Sequence, residues 1–237
     1  MRSTIVLLAV LALVAGGTGV GYAASSVYGI SGLIETPNDT IAGQGNISLT
    51  GNYIANVAKS DANATTFGGV IGIIPNLEVG GVVMDSDASG VKTQGILNAK
   101  YRIVAESLDR PSVTVGAVDL TQRLKKFNGK DDEASVFIVI GKNLTSAAEG
   151  VSGRVTMPVR GTLGLGTGLY KGGFAALNFA VAPKFDIMVE YLANGIRQST
   201  TVNGGVRYRV IPGLSVEAGA MDFQDFYGGL SYQVSTY

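Results

Sequence analysis

The strongest constraint in this sequence is an alternation of apolar and polar residues with period two, repeated in segments of about ten residues. From Val91 to Ile103, Val91, Thr93, Gly95, Leu97, Ala99, Tyr101 and Ile103 fall on one side. Lys92, Gln94, Asn98, Lys100 and Arg102 fall on the other. Val202, Val206, Tyr208 and Val210 likewise oppose Thr201, Asn203, Arg207 and Arg209. Successive side chains of a strand point to opposite faces, so this is strand periodicity. About ten residues is the length that a tilted barrel strand needs to cross a bilayer. The longest strictly apolar run of the later chain is Val136 to Ile140. That is strand length, far short of the roughly 20 residues of a spanning helix.

Twelve strands are expected near 44–55, 64–74, 77–86, 91–104, 111–121, 133–142, 160–169, 173–183, 185–195, 201–211, 214–222 and 226–236. An even count suits a bacterial barrel. The fold class read from this pattern is all-β, a closed antiparallel transmembrane β-barrel of about twelve strands. Pro75-Asn76, Arg110-Pro111, Pro183-Lys184 and Pro212-Gly213 all follow even-numbered strands, which places tight turns on one rim. Asn56–Asn63, Ser86–Gly90 and Gln122–Asp132 place longer polar loops on the other. Asn143 to Val159 is long yet falls on the turn side, with a helical turn expected at Ser146–Glu149. Gly164, Gly166 and Gly168 share one strand face and leave room there for a neighbouring segment.

Residues 1–24 read as a secretory signal peptide: Arg2, an apolar run Ile5–Ala15, then small residues ending at Gly21-Tyr22-Ala23 or Ala24. Residues 25–43 are rich in turn formers and form either a lead-in to the first strand, the reading given more weight, or a short plug in the barrel mouth. Residues 44–237 form the barrel. The last strand alternates through Leu230, Tyr232 and Val234 and the sequence closes on Tyr237, which looks like a signal for barrel-assembly machinery.

The lumen-facing candidates are Glu78, Lys100, Arg102, Glu190, Arg207, Arg209 and Glu217. Lys or Arg costs about 2–4 kcal/mol at mid-bilayer on the lipid side, so these charges belong inside, with Leu97, Tyr101, Val206 and Tyr208 outside. Turn-centred pairing brings Glu78 near Lys100, Glu190 near Arg207, and Arg209 near Glu217, each within one or two residues of register. Charges in a narrow lumen are expected to satisfy one another, and a charged track for a permeating polymer is the functional alternative.

Composition removes several classes of activity. There is no His and no Cys, so Ser-His-Asp triads, cysteine nucleophiles and imidazole or thiolate metal sites are excluded. No cofactor and no catalytic or metal site is expected, and the chain is not expected to be an enzyme. Lys plus Arg and Asp plus Glu both number 18, which argues against a nucleic-acid partner. Charged residues are 15% of the chain and Gly numbers 34, the composition of a membrane barrel more than of a soluble domain.

Gly29-Ile30-Ser31-Gly32-Leu33-Ile34-Glu35-Thr36-Pro37 resembles the N-terminal motif of the YjbH-like outer-membrane family. Arg110–Asp119, Val189-Glu190-Tyr191, Asn203–Tyr208 and Tyr227–Tyr232 follow in the family's order. The resemblance spans roughly 28–234. It implies an outer-membrane location and a structural or transport part in exopolysaccharide or group 4 capsule production or export, with outer-membrane lipid and polysaccharide as partners. Members are often lipoproteins, a feature that a chain without Cys does not share. The alternatives are a general small outer-membrane pore or scaffold and a soluble secreted carbohydrate-binding β-sandwich.

Overall fold

Twelve antiparallel strands close on themselves in a computed structural model that describes residues 24–57, 62–124, 134–145, 157–194 and 199–236. The strands are β1 (Asn46–Ile54), β2 (Ala64–Ile74), β3 (Leu77–Ser86), β4 (Gln94–Val104), β5 (Ser112–Val118) and β6 (Ser135–Asn143). They continue with β7 (Val159–Gly166), β8 (Phe174–Ala182), β9 (Phe185–Leu192), β10 (Thr201–Ile211), β11 (Leu214–Met221) and β12 (Asp225–Ser235). Each strand pairs with its sequence neighbours, and β1 pairs with β12 from Asn46↔Ser235 to Ile54↔Tyr227. No edge is left open, as hydrocarbon requires of a sheet. This excludes the two packed sheets of a sandwich. The expected signal peptide lies almost wholly outside the described residues, as does Ser146–Glu149.

The alternation sorts side chains as a membrane wall demands. Leu97 is 55% exposed, and Tyr101, Val206 and Tyr208 are exposed beside it on the outer face. Tyr101 and Tyr208 lie toward the rim of tight turns, while Tyr53 and Phe226 lie toward the opposite, loop rim, so exposed aromatics occur near both ends of the wall. At the turn rim, Asn76 and Gly213 adopt left-handed φ angles of 72° and 83° directly after a proline. Proline fixes its own φ, and Asn and Gly tolerate the positive φ that completes the reversal. Register shifts precede these turns, between Gly72 and Ile74, Arg102 and Val104, Ala180 and Ala182, and Arg209 and Ile211. Such bulges sharpen the twist where strands leave the sheet.

β4 starts at Gln94, later than the alternation of Val91–Thr93 suggests. Its pairing with β3 ends at Met84↔Gln94, and the preceding residues serve the loop, where the Thr93 hydroxyl donates to Asp85 at 2.6 Å.

The lumen is filled. Residues 24–42 run through it, almost all of them buried. The segment folds on itself: the Ser26 amide donates to the Ile30 carbonyl, the Val27 amide to Ile34, and the Leu33 amide to Thr36. The segment, for which the sequence left a lead-in or a plug open, is thus buried against the inner wall, and is hereafter called the plug. Its Val27, Tyr28, Ile30, Leu33 and Ile34 join one apolar cluster with the barrel wall. The plug lies so close to the wall that a Cβ on Gly80 would land on the Gly29 carbonyl oxygen, and one on Gly72 on that of Gly43. Gly164 and Gly166 make room in the same way, for the Phe174 ring and for Tyr170.

Candidate functional site

The contact between plug and wall is the candidate site, and it is built from inward positions of strands on opposite sides of the barrel. Inward residues of β3 and β4 are even-numbered, which brings Glu78 opposite Lys100 in register, with Lys100 Nζ 3.3 Å from Glu78 Oε1. Glu78 is 0% and Lys100 1% exposed. The pair also holds the plug. Glu78 accepts the Ser31 amide at 2.9 Å, the Ser31 hydroxyl at 2.6 Å and the Ala42 amide at 2.7 Å. Lys100 donates to the carbonyls of Ser31 at 2.7 Å and Asn38 at 3.1 Å. Two buried charges therefore receive both each other and neutral dipoles, the condition under which a buried pair is tolerated.

Glu190 grips the plug from β9. Its carboxylate accepts the amides of Ile34, Glu35 and Thr36 at 2.7, 2.9 and 3.1 Å, and the Thr36 hydroxyl at 2.7 Å. Three consecutive N–H groups aimed at one anion form a backbone nest. Asn203 on β10 donates to both Glu190 and Glu35, and the Tyr28 hydroxyl donates to Glu35 at 2.8 Å. A third fastening lies nearer the turn rim. Asp39 of the plug pairs with Arg160 of β7 and accepts the Ser112 hydroxyl, and Arg160 reaches Glu106 at 2.9 Å. Asn98 completes the set by donating to the carbonyls of Tyr28 at 2.6 Å and Gly29 at 3.1 Å.

One expected pair is corrected and another sharpened. Glu190 does not meet Arg207, because the β9–β10 register puts Asn203 opposite Glu190 and Asp186 opposite Arg207. Arg209 lies two residues of register from Glu217, as expected, but the residue directly opposite Glu217 is Arg207, whose Nε donates to it at 2.6 Å. Arg209 pairs instead with Asp186 and donates to the Pro183 carbonyl. Arg102 sits at the mouth and holds the β2–β3 turn, its guanidinium donating twice to the Asn76 side chain at 3.0 and 2.7 Å. Of the seven candidates, Glu78, Lys100 and Glu190 touch the plug, while Arg207 and Glu217 pair on the wall.

Asp39, Arg160, Asn98, Asn203 and Asp186 were missed as site residues. A signal existed for the first. An acid embedded in a segment too apolar to be a linker calls for a buried basic partner.

Among the described residues, no group of three acidic side chains comes together to hold a metal ion. Outside the membrane belt, the Asn63 side chain and amide both donate to Asp87, at 2.8 and 2.5 Å, clamping the β1–β2 loop to the β3–β4 loop. That clamp, its side-chain bond first, holds the Asp87 carboxyl below the ordinary aspartate range.

No family model and no curated protein matches the sequence. Among solved structures, the KdgM porin superposes with a TM-score of 0.51 at 12% identity, over 80% of this chain and 99% of the porin. The fold is that of an outer-membrane porin barrel. A KdgM porin in complex with disordered oligogalacturonate gives 0.49 at 13% identity over 81% and 99%. The NanC porin gives 0.49 at 9% over 81% and 100%. At such identities the likeness concerns architecture alone.

Proposed function

We propose that this chain is an outer-membrane barrel acting as a structural or transport component in exopolysaccharide or capsule production or export, with its lumen stopped at rest by residues 24–42. The observation that carries the reading is the plug, fastened to the wall by Glu78, Glu190 and Arg160 rather than covalently. Polar fastenings can be exchanged for water or ligand hydroxyls one at a time, because even a hydrogen bond to a charged group is worth only about 1.5–3 kcal/mol net. The motif that resembles the YjbH-like family, Gly29–Pro37, is the plug itself, which supports the family's role more than a shared wall pattern does. Lipid surrounds the wall in this reading, polysaccharide is the cargo, and barrel-assembly machinery inserts the chain. No step of this reading calls for catalysis, and the KdgM barrel that shares its architecture is a porin by name.

The test is ion conductance and sugar flux through the reconstituted barrel, comparing the full chain with a variant lacking residues 25–40. A closed full chain and a conducting, sugar-permeable deletion are expected. A second reading, a small barrel used as a scaffold, is favoured by the rings of Phe137, Tyr170 and Phe174, which pack with centroids 5.2 to 6.5 Å apart inside the lumen. A deletion variant that folds but passes neither ions nor sugar would decide for the scaffold.

A further inference from the structure

The outer wall is not uniformly convex. Across β6–β9 it carries two adjoining hollows of about 480 and 410 Å³, which share Ile140, Leu163, Ala175 and Tyr191 and so form one trough. The cause is local. Leu163 faces Ala175 across the β7–β8 pair, and Gly161 faces both Lys142 and Leu177, so bulky residues stand beside positions with almost no side chain. The trough lies within the lipid-facing belt and is lined almost wholly by carbon.

Its turn-rim end is different. Lys142 lines the hollow there, on the outward face of β6. Its ammonium donates to the carbonyls of Ser107, Leu108 and Arg110 at 2.5, 2.8 and 3.4 Å. These are neutral acceptors, and among the described residues no carboxylate forms an ion pair with Lys142. The acid of that neighbourhood, Glu106, is committed to Arg160, while Asp109 and Arg110 stand exposed side by side.

We propose that this trough binds one anionic glycerophospholipid, with an acyl chain along Leu163, Ala175 and Tyr191 and the phosphate beside Lys142. The membrane supplies the occupant, and the geometry selects its form. A second barrel is convex and stiff and meets a wall along a line, whereas a flexible acyl chain follows a trough. A cation at headgroup depth complements a phosphate, as interfacial lysines do. The inference rests on the transmembrane fold and is independent of what the lumen carries.

Native mass spectrometry of the barrel in mild detergent tests this, with phosphatidylglycerol and phosphatidylethanolamine added in parallel. The wild type is expected to retain one phosphatidylglycerol in preference to phosphatidylethanolamine. Ala175→Phe fills the trough from the lipid side. It should lower retention about tenfold, the loss that follows when about two methylene groups lose their burial. Heat-modifiable mobility on gels should stay unchanged, showing that the barrel is intact. Lys142→Gln should reduce the preference for phosphatidylglycerol while leaving the chain-filled trough. Should Ala175→Phe fail to fold, Ala175→Leu and Lys142→Gln carry the same readouts. Equal retention by a folded trough-filling variant would overturn the proposal. So would a wild type that keeps no lipid, or a barrel dimer that Ala175→Phe dissociates, which would make a second copy the occupant.

Discussion

The two halves of the lumen obey opposite rules. Toward the turn rim most inward side chains are polar or charged, among them Ser48, Glu78, Lys100, Ser112, Arg160, Asp186, Arg207 and Glu217, with Val70 against Ala42 of the plug as an apolar exception. Toward the loop rim Ile54, Met84, Ile96, Val118, Phe137, Phe174, Leu192 and Met221 form a single buried apolar cluster, bordered by the buried polar residues Gln94, Ser135, Thr201 and Asp225. The plug matches both. Val27, Tyr28, Ile30 and Leu33 enter the apolar cluster, while Asp39 and the amides of Ser31 and Ala42 meet the polar wall. One half is held like the core of a soluble domain, the other like a polar interface. The apolar half resists opening because burial is lost all at once. The polar half can exchange partners one bond at a time.

The largest effect expected is loss of the wall itself. Deleting residues 228–237 removes most of β12 and with it the partners of β1 and β11, so membrane-embedded, heat-modifiable protein should be absent. Normal folding of that truncation would remove the basis for comparing two halves of one closed lumen.

Next come single substitutions that sample each half. Phe137→Ala empties a site packed against Tyr170 and Phe174 and should cost about 3–5 kcal/mol in denaturant unfolding from lipid micelles. Glu78→Gln leaves the buried Lys100 charge without its ion-pair partner, a loss of about 3 kcal/mol or more. The two should differ in kind. Phe137→Ala should lower stability without conductance, and Glu78→Gln should raise conductance as well.

A smaller effect is expected from Glu190→Gln, where an amide nitrogen would face the nest of N–H groups at residues 34–36. About 2 kcal/mol of plug attachment should be lost, read as faster hydrogen exchange at those amides with the strands still protected. If the strands exchange equally fast, plug and wall are one cooperative unit and the two halves do not act separately.

The smallest effect lies outside the belt. The Asp87 carboxyl is held below its ordinary range, so its clamp on Asn63 is fully present above the unfolded aspartate value. It is lost as pH falls through the lowered value. Protection of the Asn63 amide, taken relative to its intrinsic exchange rate at each pH, should fall on acidification in the wild type and show no such transition in Asp87→Asn.

Much of this was legible because a barrel wall is a local pattern. The ends of β2, β3 and β10 coincide with the alternation, and Leu97 and Lys100 lie on the faces their chemistry assigns. The plug was only half legible, because irregular backbone carries no period. Its partners depend on which strand positions face inward at the same depth. The pairing of Arg207 with Glu217 failed to emerge for a related reason: register is exact to one residue, and an error of two names the wrong partner. One clue was available. Met84, Ile96 and Phe137 make their strands apolar on the inner face as well, and a wet lumen does not require that.

The β1–β12 seam also sets the tempo of assembly. The Thr236 hydroxyl donates to the Gly45 carbonyl across 191 positions of chain. Nothing local rewards the first strand for waiting, since its second neighbour is the last to be made. Folding rates fall steeply as contacts become more distant in sequence, so ring closure is the slow event. Until then β1 and the newest strand present raw edges that invite aggregation. A chain built this way gains from shelter for one edge until the other strand arrives.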